Sequence, residues 1–457
     1  MAATDRFTSQ FKTTPYWWEA APRPQPAELP VPRQIDAAIV GSGFTGLNAA
    51  LLLARAGRSV VVLEAGVLGQ GASTRNAGFV GRTLKHHFGH LLKKLGADRA
   101  VVIYREMQAA FDAVREVVET EDIDCGFRIG GRYIPAPSPF HYEDLSAEFE
   151  AQRRHLGVEF EMVPRAQQRR ELASDRYFGG AVVPDLASIH PGLYHAGLLE
   201  RVRAAGISLL PSTPVTRIAS EGPHRLRVAT ARGDCVARDV LIATNGYTDD
   251  TLPWLQRRLV PFDAYMIATE ELAPEIIARV LPTDRTCIDW NRDAAFVRRS
   301  PDSRHILFGA LTGTRPEPPR AKAERLFAWL AEMLPDLRGV RIGHSWTGRC
   351  AATFDMYPHL GRRDGIHYAV GYCFAGIPMG TYLGRKAALA ILEAPEARTV
   401  FADRGFPTLP LYSGRSWFVP QVMRAYRWLD GRDARRPAGK HREKTTAAEG
   451  SAHAAQG

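Results

Sequence analysis

Gly41-Ser42-Gly43-Phe44-Thr45-Gly46 constrains this chain more than any other feature. It lies between Ile35–Val40, an apolar run with the look of a buried strand, and Leu47–Ala56, a run of helical length closed by Gly57. Ser59–Leu63 reads as a second strand, and Glu64 stands at its end, 23 residues past Gly41. Strand, glycine turn, helix and strand make a βαβ unit, and an acid at this spacing accepts hydrogen bonds from a ribose. Each glycine has a mechanical reason. Gly41 permits the turn, Gly43 lets a pyrophosphate approach the backbone, and Gly46 lets helix and strand pack closely. The helix start, around Ser42, Phe44 and Thr45, presents unpaired N–H groups and a positive dipole end to phosphates. The uncharged run from Ala37 to Ala54 is 18 residues long. Its glycines and polar residues fit this unit and not a membrane-spanning helix.

The residues after the second strand favour FAD over NAD. Ala65 follows Glu64, and Gly71-Ala72-Ser73-Thr74-Arg75-Asn76-Ala77-Gly78 comes shortly after. This loop offers a hydroxyl, a guanidinium and an amide between small residues, as suits a segment crossing a diphosphate toward a flavin ring. No second GxGxxG occurs. Electrons therefore leave to dioxygen or to another protein, and not to a nicotinamide.

The charge balance excludes little. The 457 residues carry 59 basic and 49 acidic side chains, a net charge of +10. Only 8 of the basic residues are Lys, and the 51 Arg are spread along the whole chain. That reads as a compositional preference and not as a nucleic-acid patch, with an anionic partner or membrane surface as the alternative. The five cysteines, at 125, 235, 287, 350 and 373, form no CxxC pair. Reduced thiols in a cytoplasmic protein are expected, and the histidines show no metal-ligand spacing.

Organisation follows from punctuation. Residues 1–33 carry six prolines and read as an arm that packs Tyr16, Trp17 and Trp18 onto the body. Helices are expected over 97–121, 193–205 and 376–392, with strands at 126–136, 159–163, 215–218, 225–230, 235–237 and 240–243. Residues 415–430 mix aromatics and arginines and read as a helix packed on the body, with interfacial membrane contact as the alternative. The last 27 residues, from Gly431, lack every large apolar side chain and read as a disordered tail.

Six pieces of the chain, in order between roughly 14 and 395, resemble the D-amino-acid oxidase/glycine oxidase/sarcosine oxidase superfamily of FAD amine oxidoreductases. They resemble its γ-glutamylputrescine oxidase branch most. The pieces are TPYWW, AAIVGSGFTGLNAALLLARAG, VVLEAGVLGQGASTRNAGFV, VLIATNGYT, WTGRCAATFDMYPHLG and GIHYAVGYCFAGIPMGTYLGRKAALAIL. The resemblance implies an α/β fold with a discontinuous Rossmann-like FAD domain (34–95, 185–261 and 343–397). It implies a second, α+β substrate domain on a large mixed sheet (96–184 and 262–342); by composition, a C-terminal helix region (398–430) and the tail (431–457) follow.

The resemblance also implies further site residues. Val215 meets the adenine, Thr244, Asn245 and Gly246 close over the adenosine half, and Gly371, Gly376 and Ile377 place a helix N-terminus at the flavin. Cys350 stands where glycine and D-amino-acid oxidases carry the Arg that binds the substrate carboxylate. Sarcosine oxidases carry their flavin-linking cysteine there. Non-covalent FAD is expected, with a cysteinyl link through Cys350 as the alternative. Arg349 is expected on the opposite strand face. Phe374-Ala375 departs from the Gly-His common in the branch, which puts bulk beside the flavin. Tyr372, Tyr265 and Arg298 are the candidates for flavin-facing catalytic roles. The implied activity is oxidation of an amine C–N bond with reoxidation by O2. The alternatives are a dehydrogenase of the same fold that passes electrons to a carrier, and a non-catalytic FAD protein.

Overall fold

The computed structural model describes residues 6–23, 29–402 and 404–437. Strand β1 (Gln34–Val40) runs into helix α1 (Phe44–Arg55) and returns as strand β2 (Val60–Leu63), all three largely buried. The two strands pair in parallel, Ala37 opposite Val60 and Val40 opposite Leu63, as a crossover helix requires. They belong to an eight-stranded sheet with Ser208–Leu210 outside β2 and Gly233–Ile242 inside β1. Arg225–Thr230 and Val215–Gly222 follow, and Ile366–Val370 and His359–Arg363 branch from Gly233–Ile242. The stretch expected as two strands, 235–237 and 240–243, is therefore one continuous strand.

The second sheet has nine strands and is mixed. Its spine is strand β3 (Leu259–Thr269) against strand β4 (Ile342–Thr353), antiparallel from Leu259–Thr353 through to Ala268–His344. Two expected boundaries move as a result. Residues 343–353 and 259–261 were assigned to the FAD domain, yet both lie on this pair of strands. Phe7–Lys12, within the expected arm, is an edge strand parallel to the start of β4. It is free of proline, and the prolines of the segment begin only at Pro15.

Helix α2 (Gly376–Ile391) crosses α1 where glycines let the backbones meet. A Cβ on Gly384 would lie 2.4 Å from the Thr45 carbonyl oxygen, and one on Gly380 would lie 3.3 Å from Thr45 Oγ1. Among the described residues no helix is long and apolar enough to cross a membrane. The C-terminal helix runs Val419–Ala434, past the expected end at 430 and into the expected tail. Its docking is ionic: Asp430 accepts from the Arg292 guanidinium at 2.9 Å and Asp433 at 2.8 Å, and Arg427 donates to Asp293 at 3.0 Å. A criterion based on large apolar residues cannot see such an anchor. The rest of the expected tail, from residue 438, lies outside the described residues.

Gly384→Ala tests the close crossing of α1 and α2. The added methyl meets backbone on a packed helix, so the variant should lose about 1–3 kcal/mol, read from the denaturation midpoint. An unchanged midpoint would contradict the packing.

Candidate active site

A cavity of about 2160 Å³, part of it open to solvent, runs along the junction of the two sheets. At one end lies the glycine turn. Gly41 has φ +109°, and a Cβ there would sit 3.0 Å from the Ala243 carbonyl oxygen. Gly46 lines no part of the cavity. A Cβ on it would sit 2.0 Å from the Gly41 carbonyl oxygen, so its role is packing. Glu64 Oε2 accepts from the Ser42 amide at 3.0 Å and from Ser42 Oγ at 2.6 Å. His195 is buried below the turn, with Nε2 2.7 Å from the Ser42 carbonyl oxygen and Nδ1 3.4 Å from the Arg23 guanidinium. A neutral ring with its proton on Nε2 satisfies both contacts. Burial, then the charge of Arg23, lowers its pKa to about 3.

The loop 71–78 forms the next wall. Ser73 Oγ accepts from the Phe44 amide at 3.1 Å, the first N–H of α1. Asn76 holds the loop's own shape, donating to Ala72 and Ser73 carbonyls and accepting from the Gly78 amide. Donors from elsewhere fix its outer side. Trp17 Nε1 donates to the Asn76 carbonyl at 2.8 Å, Trp18 Nε1 to Thr74 Oγ1 at 2.9 Å, and Trp346 Nε1 to the Arg75 carbonyl at 2.9 Å. Gly71, Ala72, Ser73, Arg75, Asn76 and Ala77 line the cavity, and Gly78 lies behind it.

At the adenosine end, Thr213, Pro214, Val215, Thr244 and Asn245 line the cavity. Asn245 has φ +44°, and its Oδ1 accepts from the Gly371 amide at 2.9 Å, tying this turn to the last βα unit. Gly246 and Gly371 are outside the lining. Gly246 packs on β4, since its Cβ would lie 2.6 Å from the Cys350 carbonyl oxygen. Thr213, Pro214, Gly69 and Gln70 were not singled out from the sequence. They adjoin Val215 and Gly71, and that adjacency was the available signal.

Beside the glycine turn, Tyr372, Cys373, Phe374, Gly376 and Ile377 form the turn into α2, whose first amides have no side-chain cap. The facing wall is apolar: Ala264 and Met266 of β3, with Ile288 and Phe296. Cys350 lines this end, its thiol pushed up to about 12 by burial. Arg349 lines it too, contrary to expectation, with Nε 3.2 Å from Asp263. Along β4 from Gly348 to Ala351 every residue borders the cavity, so strand alternation does not sort them.

The three proposed catalytic side chains do not converge. Tyr372 reaches the lining, but its hydroxyl is already engaged, 2.6 Å from Thr45 Oγ1 and 2.6 Å from the Ala369 carbonyl. Burial raises its pKa above the ordinary phenol value. Tyr265 points to the other face of β3, because alternation gives the cavity side to Ala264 and Met266. There it packs in the core with the Lys322 ammonium 4.2 Å from its ring centroid. Arg298 is buried outside the lining and donates to the Ala77, Gly78 and Ile189 carbonyls at 3.0–3.2 Å. Burial lowers its pKa to about 9. It is a positioning residue for loop 71–78.

The cavity fits FAD. Two helix N-termini border it, Glu64 stands at the ribose position, and Gly43 leaves no room for a side chain beside Ser73 Oγ, 2.8 Å from where its Cβ would be. Among the described residues no cluster of metal-ligating side chains occurs.

Two buried histidines set an acid limit. His195 and His190, with pKa lowered to about 3 and about 4, are neutral in the fold and protonate below 6.5 when unfolded. The unfolded state then binds more protons, so stability is lost as pH falls from 6.5 toward 4, by about 1.4 kcal/mol per pH unit for each such proton. In His195→Asn the pH dependence of stability over that range should be shallower by about one proton. Equal slopes would contradict the neutral buried ring.

The geometry agrees with known proteins. The sequence profile of the DAO family, FAD dependent oxidoreductases, matches residues 36–389. Gamma-glutamylputrescine oxidoreductase of Escherichia coli is 32% identical over 388 residues, 84% of this chain and 89% of that protein. Glycine oxidase of Bacillus licheniformis is 23% identical over 79% of this chain and 94% of its own length. The crystal structure of glycine oxidase from Geobacillus kaustophilus superposes with a TM-score of 0.68 at 22% identity, covering 83% of this chain and 99% of that one. With a dinucleotide turn, a flavin-length cavity and this match over most of its length, the chain belongs to the DAO family of FAD-dependent oxidoreductases.

Proposed function

We propose that this protein oxidises a C–N bond of an amine or amino-acid derivative and returns the electrons to O2 as H2O2. The observation that carries the reading is the single cavity joining the glycine turn to an apolar chamber at the N-terminus of α2. The likeness to gamma-glutamylputrescine oxidoreductase supports an amine as the substrate. Bound FAD supplies the two-electron acceptor.

The chain's own residues do the positioning. Gly43 and the α1 amides after Phe44 receive the diphosphate, and Glu64 the ribose. The free amides of α2 place a positive dipole end where negative charge grows as the cofactor is reduced. Ala264, Met266, Ile288 and Phe296 exclude water from the facing side. An apolar chamber penalises an ammonium ion more than a neutral amine, so it favours the form with a free nitrogen lone pair. No acid–base dyad is needed for that. FAD is held without a covalent bond, because burial, with the charge of Asp263, keeps the Cys350 thiol protonated.

The decisive experiment is anaerobic titration of the yellow holoprotein with a panel of primary and secondary amines, followed by admission of air. Bleaching by a subset of amines, with stoichiometric peroxide on reoxidation, is expected. Bleaching without peroxide would assign the electrons to a carrier, and no bleaching by any amine would overturn the reading. Acid precipitation of the same sample should release all flavin to the supernatant.

Tyr265→Phe provides a second check. With its ring on the core face of β3, the variant should keep kcat within about twofold of wild type, equivalent to about 0.4 kcal/mol in the barrier. A drop of two orders of magnitude would put Tyr265 back at the reacting centre.

A further inference from the structure

The C-terminal helix Val419–Ala434 has two unlike faces. Val419, Met423, Asp430 and Asp433 point inward: the first two pack on Gly313, and the aspartates close the ion pairs with Arg292. The opposite stripe follows helical spacing through Gln421, Arg424, Trp428, Arg432 and Arg435, and Trp417 extends it by one turn at the N-terminal end. All six side chains are exposed, Trp417 by 75% and Trp428 by 65%. The loop before the helix adds Leu409 and the fully exposed Leu411. The next residue, Tyr412, has its ring 5.8 Å from that of Phe418, which keeps this loop against the start of the helix. Half of the exposed large apolar side chains among the described residues thus fall between Leu409 and Trp428.

The free charge beside these side chains has one sign. Between Arg404 and Pro437 there are seven arginines and two aspartates, and both aspartates are buried. Arg427 pairs with Asp293, and Arg432 and Arg436 pair with Asp433. Among the described residues no carboxylate meets the Arg415, Arg424 or Arg435 guanidinium. An exposed apolar patch rimmed by polar groups marks an interaction site. A second copy of this chain fits it poorly, because a two-fold interface brings the same arginines to both sides with no exposed carboxylate to pair them. A bilayer supplies what the face lacks. Tryptophan rings seat at the level of the headgroups, and arginine stems lie along the apolar boundary while their guanidinium groups meet lipid phosphates. A continuous anionic surface also needs no carboxylates at fixed points.

We propose that the outward stripe from Trp417 to Arg435, with Leu411 ahead of it, seats the protein on an anionic bilayer surface. The two tryptophans enter the headgroup region, and Arg415, Arg424 and Arg435 face the lipid phosphates. The contact is with the surface alone, since no described helix is long and apolar enough to cross. It goes beyond the oxidation chemistry and holds whichever compound reduces the flavin. The seat is nevertheless close to the site. Tyr412 and Phe418 pack in the apolar cluster of Phe262 and Cys373, and Cys373 lines the cavity.

Flotation of the yellow holoprotein with vesicles of phosphatidylcholine, alone or with one third phosphatidylglycerol, tests the surface. Wild type should float with the anionic vesicles and stay behind with the neutral ones, and added salt should weaken the binding. Trp417→Ser/Trp428→Ser should bind at least tenfold more weakly, and Arg424→Gln/Arg435→Gln about 30-fold more weakly at low salt. None of the four side chains lines the cavity or belongs to the buried core, so both variants should keep the flavin content and melting midpoint of wild type.

A second measurement places the rings. Lipids brominated near the headgroup end of the acyl chain should quench part of the wild-type tryptophan emission, and that part should vanish in Trp417→Ser/Trp428→Ser. Wild type that stays behind with both kinds of vesicle, or a tryptophan variant that floats as well as wild type, overturns the proposal. Dimers of the free protein that the tryptophan variant abolishes would assign the face to a second copy and overturn it too.

Discussion

The carbonyls of loop 71–78 are the point on which the rest of the structure depends. Trp17 and Trp346 hold those of Asn76 and Arg75, and Arg298 holds those of Ala77 and Gly78. Every one of these donors comes from the N-terminal segment or from the nine-stranded sheet, whereas the loop follows the first βαβ unit of the other sheet. A buried carbonyl left without a partner costs about 1–3 kcal/mol, so several together fix how the two sheets meet. The cavity is the space this junction leaves. A buried cluster of Trp17, Met266, Ala268, Leu307 and Trp346 seals its outer side, and Met266 belongs to both cluster and lining. Folding and cofactor geometry are thus set by the same bonds.

The glycine turn was legible in the sequence because its requirements are steric. Gly41 needs a positive φ, Gly46 needs the absence of a Cβ, and Glu64 needs only to end the next strand. Local rules of that kind survive without tertiary knowledge. The adenosine turn at 244–246 and the turn into α2 were reached through resemblance, and their lining residues lie together as that resemblance implies. Tyr265 shows where such reasoning stops. A resemblance brings β3 to the cavity, but the phase of its alternation is decided by which residues pair with Ile342–Thr353, and that phase turns Tyr265 to the core. Arg298 is a related case. An arginine near a flavin invites a catalytic reading, and only the three carbonyls around it show that its hydrogen bonds are already used.

The last turn of the C-terminal helix was not legible for a different reason. It depends on charges far apart in the chain. Asp430 and Asp433 are satisfied by Arg292. Such contacts leave no periodicity in the sequence, because a single ion pair needs no repeat. The helix that ends in this network also packs Val419 and Met423 against Gly313, next to Thr312 in the cavity wall. The helix expected over 415–430 therefore packs behind the cavity wall at Thr312.

The turn before α2 ties these observations to reactivity. Cys373 and Phe374 have φ +46° and +79°, a left-handed conformation that costs a non-glycine residue about 1–3 kcal/mol. Two such residues in succession persist only where their surroundings over-determine them. Cys373 Sγ lies 3.1 Å from the Gly371 carbonyl oxygen, and the Phe374 ring is gripped by Phe262 and Lys85. The strained turn points the α2 amides at the cavity while putting an aromatic ring beside them. Phe374 stays half-exposed there although its ring packs on Phe262 and carries the Lys85 ammonium, so an aromatic face borders the apolar chamber in which the amine must stay neutral.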